Sequence, residues 1–263
     1  MRHRLLICLL AVATLSACAD ESNISDCDSG KKQIPCTEKT AEEKGRLALD
    51  EKKFEQAAEN FLLAIDSNPE NYNLYTLLAT SYAGAAGFNL LDITKAQMGG
   101  DGTIIAIMSS FLPTPAKPCT NDGGEDKVFT LCISSMEEAR VAATLPEAAL
   151  ADSTADYVQT AQKQQLFYGS ASTVMQINRF IISADTGSFD PAQLESMTED
   201  DAINILNTLA STGALSGLTG EDSTALQGKI ADAHAQIQSE EGGSTKEKLA
   251  AFLAKDQQGQ ASQ

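Results

Sequence analysis

Tryptophan is absent from this chain of 263 residues, and aromatic residues make up only 5% of it. β-Sandwiches and barrels depend on aromatic and β-branched side chains, so this scarcity disfavours both architectures. Hydrophobic residues amount to 43%, mostly alanine and leucine, which favour helices and suffice for a packed core. We therefore predict an all-α fold.

Histidine is also scarce, since the chain contains only His3 and His234. Hydrolase triads need a base beside the nucleophile, and zinc sites usually need several imidazole or thiolate ligands. No two cysteines have Cys-x-x-Cys spacing. We therefore predict no enzyme, no catalytic residue, no metal site and no cofactor, and we place His234 on a solvated helix.

Two glycine-containing segments lack the patterns of ligand-binding loops. Asp122-Gly123-Gly124-Glu125-Asp126 contains carboxylates but not the alternating ligands and closing glutamate of an EF-hand calcium loop. Gly213-Ala214-Leu215-Ser216-Gly217 has no Gly-Lys-Ser/Thr ending, so it is not a phosphate loop. We interpret the first as a solvated loop and the second as a helix connection.

Basic residues are the third deficit, because 19 lysines and arginines stand against 36 aspartates and glutamates. The net charge of -17 repels phosphate backbones, so we predict no nucleic-acid partner. Such a surface attracts basic partners, and it also keeps a protein soluble. The charge therefore restricts the class of partner without identifying one.

The N-terminus has the pattern of an export signal. Arg2 and Arg4 accompany an apolar run, residues 5–14, that is too short to span a bilayer. Leu15-Ser16-Ala17-Cys18 then resembles the lipobox of bacterial lipoproteins; an ordinary secretory signal and a buried N-terminal helix are the alternatives. The resemblance implies a signal peptide over residues 1–17 and a lipid anchor, including palmitate, on Cys18. Since Ala19 and not aspartate follows Cys18, it favours the outer membrane, facing the periplasm, over the inner membrane.

Four cysteines remain once Cys8 leaves with the signal peptide and Cys18 carries lipid: Cys27, Cys36, Cys119 and Cys132. In an oxidising periplasm an even number of thiols indicates disulfides. Three pairings are open, and proximity in sequence favours Cys27 with Cys36 and Cys119 with Cys132. Metal binding is the alternative, which the spacing and the lack of histidine disfavour.

Residues 18–39 are polar and lack apolar periodicity, so we predict a tether there. Thr40-Ala41-Glu42-Glu43 follows with the spacing of a helix capping box. It opens an all-α domain that we place at residues 40–255, before a disordered tail over residues 256–263.

The start of this domain resembles a tetratricopeptide repeat (TPR), a pair of antiparallel helices. In this resemblance small residues allow the helices to approach, aromatic residues fill the space between them, and proline ends the second helix. The matching positions are Gly45, Phe54, Ala57, Phe61, Ala64 and Pro69 in the first repeat and Tyr75, Leu78, Ala79 and Tyr82 in the next.

After Tyr82 the match weakens, because Leu91, Lys95 and Met98 stand where small or aromatic residues are expected. We predict a modified second helix over residues 83–93, with Gly84 and Gly87 allowing close helix contact. The TPR-like part thus covers about residues 38–95, and a non-repeat helical body follows over about 96–255.

The body is predicted to contain several helices, separated by glycine and proline clusters and by an irregular loop over residues 117–127. Four of them cover residues 103–112, 151–183, 223–238 and 246–253. Three others are located by the residues at their ends: one starts with a capping box at 135–138 and stops near Pro146, one begins at Asp190 and Pro191, and one is capped by Thr198 and Asp201.

These patterns support two functional hypotheses. The first is a membrane-anchored scaffold whose TPR-like helices hold an envelope protein. The second is an accessory of solute transport, because the segment Tyr82-Ala83-Gly84 resembles lipoproteins associated with TRAP-type transporters. That function requires a small-molecule cavity, for which the candidate lining is Phe88, Phe111, Tyr168 and Phe180, whereas a filled core at those residues favours the scaffold.

Overall fold

The structure is a computed structural model that describes residues 39–88, 108, 111–215, 218 and 221–261. These residues are mostly helical and form isolated β-bridges but no strand, so the predicted all-α class is confirmed. The described helices are α1 (Ala41–Asp50), α2 (Phe54–Ser67), α3 (Asn73–Ala85), α4 (Phe129–Ala142), α5 (Asp156–Ile181), α6 (Glu199–Gly213), α7 (Glu221–Ser239) and α8 (Thr245–Ala261), with 3-10 helices at Glu147–Ala151 and Pro191–Ser196.

Local capping patterns fixed several helix starts as predicted. At α1 the Glu43 amide donates to Thr40 Oγ1 over 3.2 Å, while the Thr40 amide donates to Glu43 Oε2 over 2.8 Å. The same reciprocal pair joins Thr198 and Asp201 at the start of α6. Asp190 also caps a helix, but that helix is a 3-10 helix of six residues.

Two predicted boundaries in the middle of the chain are wrong. Helix α4 begins at Phe129, so the capping pattern at residues 135–138 lies inside it, where burial of Cys132 and Met136 on one helical face holds the earlier turns. Residues 83–85 end α3 instead of starting a new helix, and Gly87 follows with a φ of 75° that stops helical geometry.

At the C-terminus α8 continues to Ala261 and so extends into the predicted disordered tail. Residues 254–261 contain three glutamines and two alanines, which are good helix formers. Several predictions concern residues outside those that the structure describes. They are the signal peptide, the lipid site Cys18, the pair Cys27 and Cys36, the departures from the repeat at Leu91, Lys95 and Met98, and most of the helix 103–112.

Helices α1, α2 and α3 pack as consecutive antiparallel neighbours around a small core of their own. A Cβ atom added at Gly45 of α1 would lie 2.8 Å from the Phe61 ring of α2, so the two helices meet where only glycine fits. At the N-terminal end of α2, a Cβ atom at Gly84 of α3 would lie 2.3 Å from the Phe54 ring. Glycine opposite an aromatic ring therefore sets both helix separations.

Helix α5 is the centre of the remaining fold. It packs against α3, α4, α6, α7 and the second 3-10 helix, and most of its side chains from Leu166 onward are buried. A Cβ atom at Gly169 would lie 2.3 Å from Thr212 Oγ1 of α6. Small residues on α5 thus allow neighbouring helices to pack closely on several sides. Most of the buried apolar residues between Ala79 and Leu253 form one cluster.

Candidate functional site

The ten residues predicted to pack the TPR-like helices lie on α1, α2, α3 and the turn after α2. Gly45, Ala57, Phe61, Ala64, Leu78 and Ala79 are buried, Phe54, Tyr75 and Tyr82 are partly buried, and Pro69 is exposed. An antiparallel helical hairpin of any family buries residues at such spacing. Membership of the TPR family therefore stays a prediction.

A groove lies between α2 and α4, both of which pack against α3. Its volume of about 360 Å³ is at the lower end of the ~300–1,000 Å³ typical of ligand pockets, so it accommodates a few side chains. Three helices supply its lining, which comprises Glu55, Ala58, Glu59 and Leu62 of α2, Tyr82 and Ala85 of α3, and Ser135 and Glu138 of α4. We call this feature the α2–α4 groove.

The α2–α4 groove has carboxylates on both walls. Glu55 is neutralised by Lys127, whose Nζ lies 2.6 Å from its carboxylate and also donates to the Ala85 carbonyl over 3.1 Å. Burial raises the pKa of the Tyr82 phenol, and the Glu138 carboxylate raises it further. Glu59 and Glu138 form no ion pair with any described residue. The groove therefore presents two uncompensated negative charges above an apolar floor.

A disulfide-closed loop supports one end of the α2–α4 groove. The predicted Cys119 and Cys132 pair is joined in the structure, with Cα atoms 5.9 Å apart. Within the loop, Asp122 accepts hydrogen bonds from the amides of Glu55 and Gln56, at 3.1 and 3.0 Å. It thus caps the first turn of α2, where Lys53 supplies no side-chain cap.

The sequence does not predict this use of Asp122, because its segment has the composition of a solvated loop. The capped amides lie 67 and 66 residues earlier in the chain, so no local pattern indicates the contact. The only signal in the sequence is the lysine at the N-cap position of α2, a residue type whose side chain cannot accept the amide hydrogen bonds.

The residues proposed for a small-molecule cavity pack against one another instead. Phe88 and Tyr168 stand nearly perpendicular with ring centroids 5.7 Å apart, and Phe111 lies 6.5 Å from Phe88. Phe88, Tyr168 and Phe180 are buried in the main core, against which Phe111 also packs. Edge-to-face packing of this kind is typical of a filled aromatic core.

A second hollow, of about 260 Å³, lies beside the C-terminal end of α4 and the start of α5. Gln165 donates from Nε2 to the Ala143 carbonyl there, whereas Gln162 Oε1 is buried without a hydrogen-bond partner. The other lining residues are Thr144, Leu145, Leu150, Val158, Ala161 and Leu215. No charged side chain lines this hollow, so it lacks the carboxylates that are present in the α2–α4 groove.

Other ligand chemistry finds little support in the part of the chain that the structure describes. There, no three histidine, cysteine, aspartate or glutamate side chains come together as a metal site would require. His234 is partly exposed on α7. Among the described helices none has the length and apolarity needed to cross a bilayer.

Comparison of the chain with protein-family models, with curated proteins and with solved structures found no match. The grounds for a function are therefore the residues and the geometry of the α2–α4 groove.

Proposed function

We propose that this chain is a lipid-anchored protein of the bacterial envelope, held in the outer membrane through Cys18, that acts as a protein-protein interaction scaffold. The single observation that carries the proposal is the open α2–α4 groove, in which apolar side chains of α2 and α3 lie beside carboxylates of α2 and α4. A surface of this composition is typical of protein-binding sites, whose cores are apolar and whose rims are polar.

The alternative, an accessory of solute transport, requires a cavity among the four aromatic residues named above. Because Phe88 contacts both Tyr168 and Phe111, their packing favours the scaffold. A lipid anchor adds to such a function, since a protein fixed to a membrane presents its binding surface at a high effective concentration.

The proposal is tested by photo-crosslinking in intact envelopes. A photoreactive amino acid replaces Leu62 in the groove, and the matched control replaces Ile203, an exposed apolar residue on α6. We expect a discrete heavier adduct with another envelope protein from position 62 only. The adduct should disappear in Cys18→Ala, which also loses labelled palmitate, whereas Cys8→Ala in the signal sequence should retain both.

Two results contradict the scaffold. Equal crosslinking from positions 62 and 203 would mean that the contacts are unspecific, and no adduct from position 62 would mean that the groove is not occupied in the envelope. Undiminished palmitate in Cys18→Ala would separately refute the anchor.

A further inference from the structure

We propose that the α2–α4 groove binds a basic amphipathic helix of its partner, with lysine or arginine side chains on Glu59 and Glu138 and aliphatic side chains against the floor. This inference rests on the proposed function and specifies the chemistry of the bound segment.

The charges of the groove define the polar part of this occupant. Glu59 projects from α2 and Glu138 from α4, so a segment lying between the walls meets a carboxylate on each side. Lys127, the cation on the margin of the groove, is already held by Glu55 and the Ala85 carbonyl. A cationic segment therefore meets two carboxylates without displacing an existing ion pair.

Aliphatic side chains around the groove define the apolar part. Leu62 is 47% exposed on the α2 wall, and Leu131 of α4 is 54% exposed. Leu131 lies four residues before Ser135 and seven before Glu138, so helical spacing places it on the face of α4 that borders the groove. Exposed aliphatic residues grouped around a cleft are typical of an interaction site.

The floor sets the size of what fits. Ala58 and Ala85 are small and Tyr82 is partly buried, so the space above α3 admits the side chains along one face of a helix. An amphipathic helix that lays its apolar face into a hydrophobic groove is a recurrent mode of recognition. The net charge of -17 also opposes a second copy of this chain or an acidic segment as the occupant.

Two synthetic peptides test the inference against the folded protein. One is an amphipathic helix of about 18 residues of leucine, alanine and lysine, and the other has glutamate in place of each lysine. Fluorescence anisotropy at low and high salt measures their affinities. We expect the lysine peptide to bind more weakly as salt rises and the glutamate peptide not to bind, because only the first complements the groove.

The decisive comparison is between two double variants with the same change in net charge. Glu59→Lys with Glu138→Lys reverses the groove, whereas Glu147→Lys with Glu195→Lys changes exposed acidic residues elsewhere. We expect the groove variant to lose at least about tenfold in affinity for the lysine peptide, and the control to stay within about twofold. Circular dichroism checks that each variant keeps its helical content, as the four positions are not buried.

Equal losses in the two double variants, or binding of both peptides, would overturn the inference, because attraction would then come from the overall charge or from apolar contact alone. Crosslinking from position 62 distinguishes a failure of the basic-helix inference from a failure of the scaffold proposal. An adduct that persists in Glu59→Lys with Glu138→Lys leaves the scaffold standing and removes the basic helix, whereas absence of any adduct in the unaltered chain removes the scaffold itself.

Discussion

Helices α2 and α5 bury their side chains in different ways. On α2, Ala57, Phe61 and Ala64 form one buried stripe, Ala58 is buried at the floor of the groove, and the face with Glu55 and Glu59 remains open. On α5 the segment after Leu166 is buried almost all round, because neighbours pack against several of its faces. A helix with an unpartnered face can bind another molecule, whereas a helix enclosed on every side contributes packing only.

The two regions also differ in how their close contacts are made. In the helical hairpin of α1 and α2, Gly45 faces the edge of the Phe61 ring, which lies at the far end of that side chain. In the body Gly169 faces Thr212, whose Cβ is fixed directly to the backbone of α6 and lies 3.3 Å from the added Cβ position. A ring edge yields to an added methyl group more readily than a whole helix does.

The largest expected effect compares these glycines directly. Gly169→Ala should lower the free energy of unfolding by about 3 kcal/mol and Gly45→Ala by about 1 kcal/mol, because overpacking costs ~1–3 kcal/mol according to how far neighbours can move. Gly228 on α7 has no atom within 4 Å of an added Cβ, so it is the matched control. Gly228→Ala should stabilise by roughly 0.5–1 kcal/mol through helix propensity.

Urea denaturation of the three variants measures these changes. Similar losses for Gly45→Ala and Gly169→Ala would mean that α5 is no more tightly enclosed than the hairpin, and the contrast between the two regions would fail.

A slightly smaller effect concerns Tyr168, which is 2% exposed between α5 and α3. Burial raises the pKa of this phenol to about 12, although hydrogen bonds with Thr80 and Gln164 partly oppose the shift. Since an unfolded tyrosine loses its proton near pH ~10, the stabilisation is complete below that pH and is lost as the pH rises towards 12. The loss should approach roughly 2–3 kcal/mol.

Denaturation at several alkaline pH values tests this sign and magnitude. Tyr168→Phe should flatten the decline of stability between about pH 10 and 12, because it removes the ionisable phenol. Tyr82→Phe is the matched variant on the groove side, where the phenol is only partly buried, and it should change the slope less. An identical slope in Tyr168→Phe and the unaltered chain would contradict the assignment.

The features that the sequence predicted correctly depend on contacts between residues that lie close together in the chain. The capping pairs Thr40 with Glu43 and Thr198 with Asp201 lie three residues apart, and both are present. The Cys119 and Cys132 pair closes a short loop, as their proximity suggested. The burial of Ala57 and Phe61 follows from helical periodicity on a helix with one apolar face.

Contacts between distant segments were not predictable in the same way. A capping pattern at residues 135–138 was locally sound, but burial of Phe129 and Cys132 extended α4 past it. The α2–α4 groove exists because α4 packs against α3, with 43 residues between them, so its two walls carry no shared sequence pattern. The candidate site is thus a tertiary feature, whereas the fold class was readable from composition.

The smallest predicted effect tests one of these distant contacts, the capping of α2 by Asp122. Asp122→Ala leaves the amides of Glu55 and Gln56 without their acceptor, which should cost about 1 kcal/mol. Asp126→Ala is the matched control, an exposed aspartate of the same loop whose side chain caps no helix, and it should change stability by less than about 0.5 kcal/mol.

Hydrogen exchange locates the effect that denaturation measures. The amides of Glu55 and Gln56 should exchange faster in Asp122→Ala, while α5 keeps its protection, because the cap belongs to the open helix and not to the enclosed one. If Asp122→Ala and Asp126→Ala behaved alike, α2 would hold its first turn without help from the loop. The wall that carries Glu55 and Glu59 would then be independent of the Cys119 and Cys132 disulfide, and the groove would be a property of the helices alone.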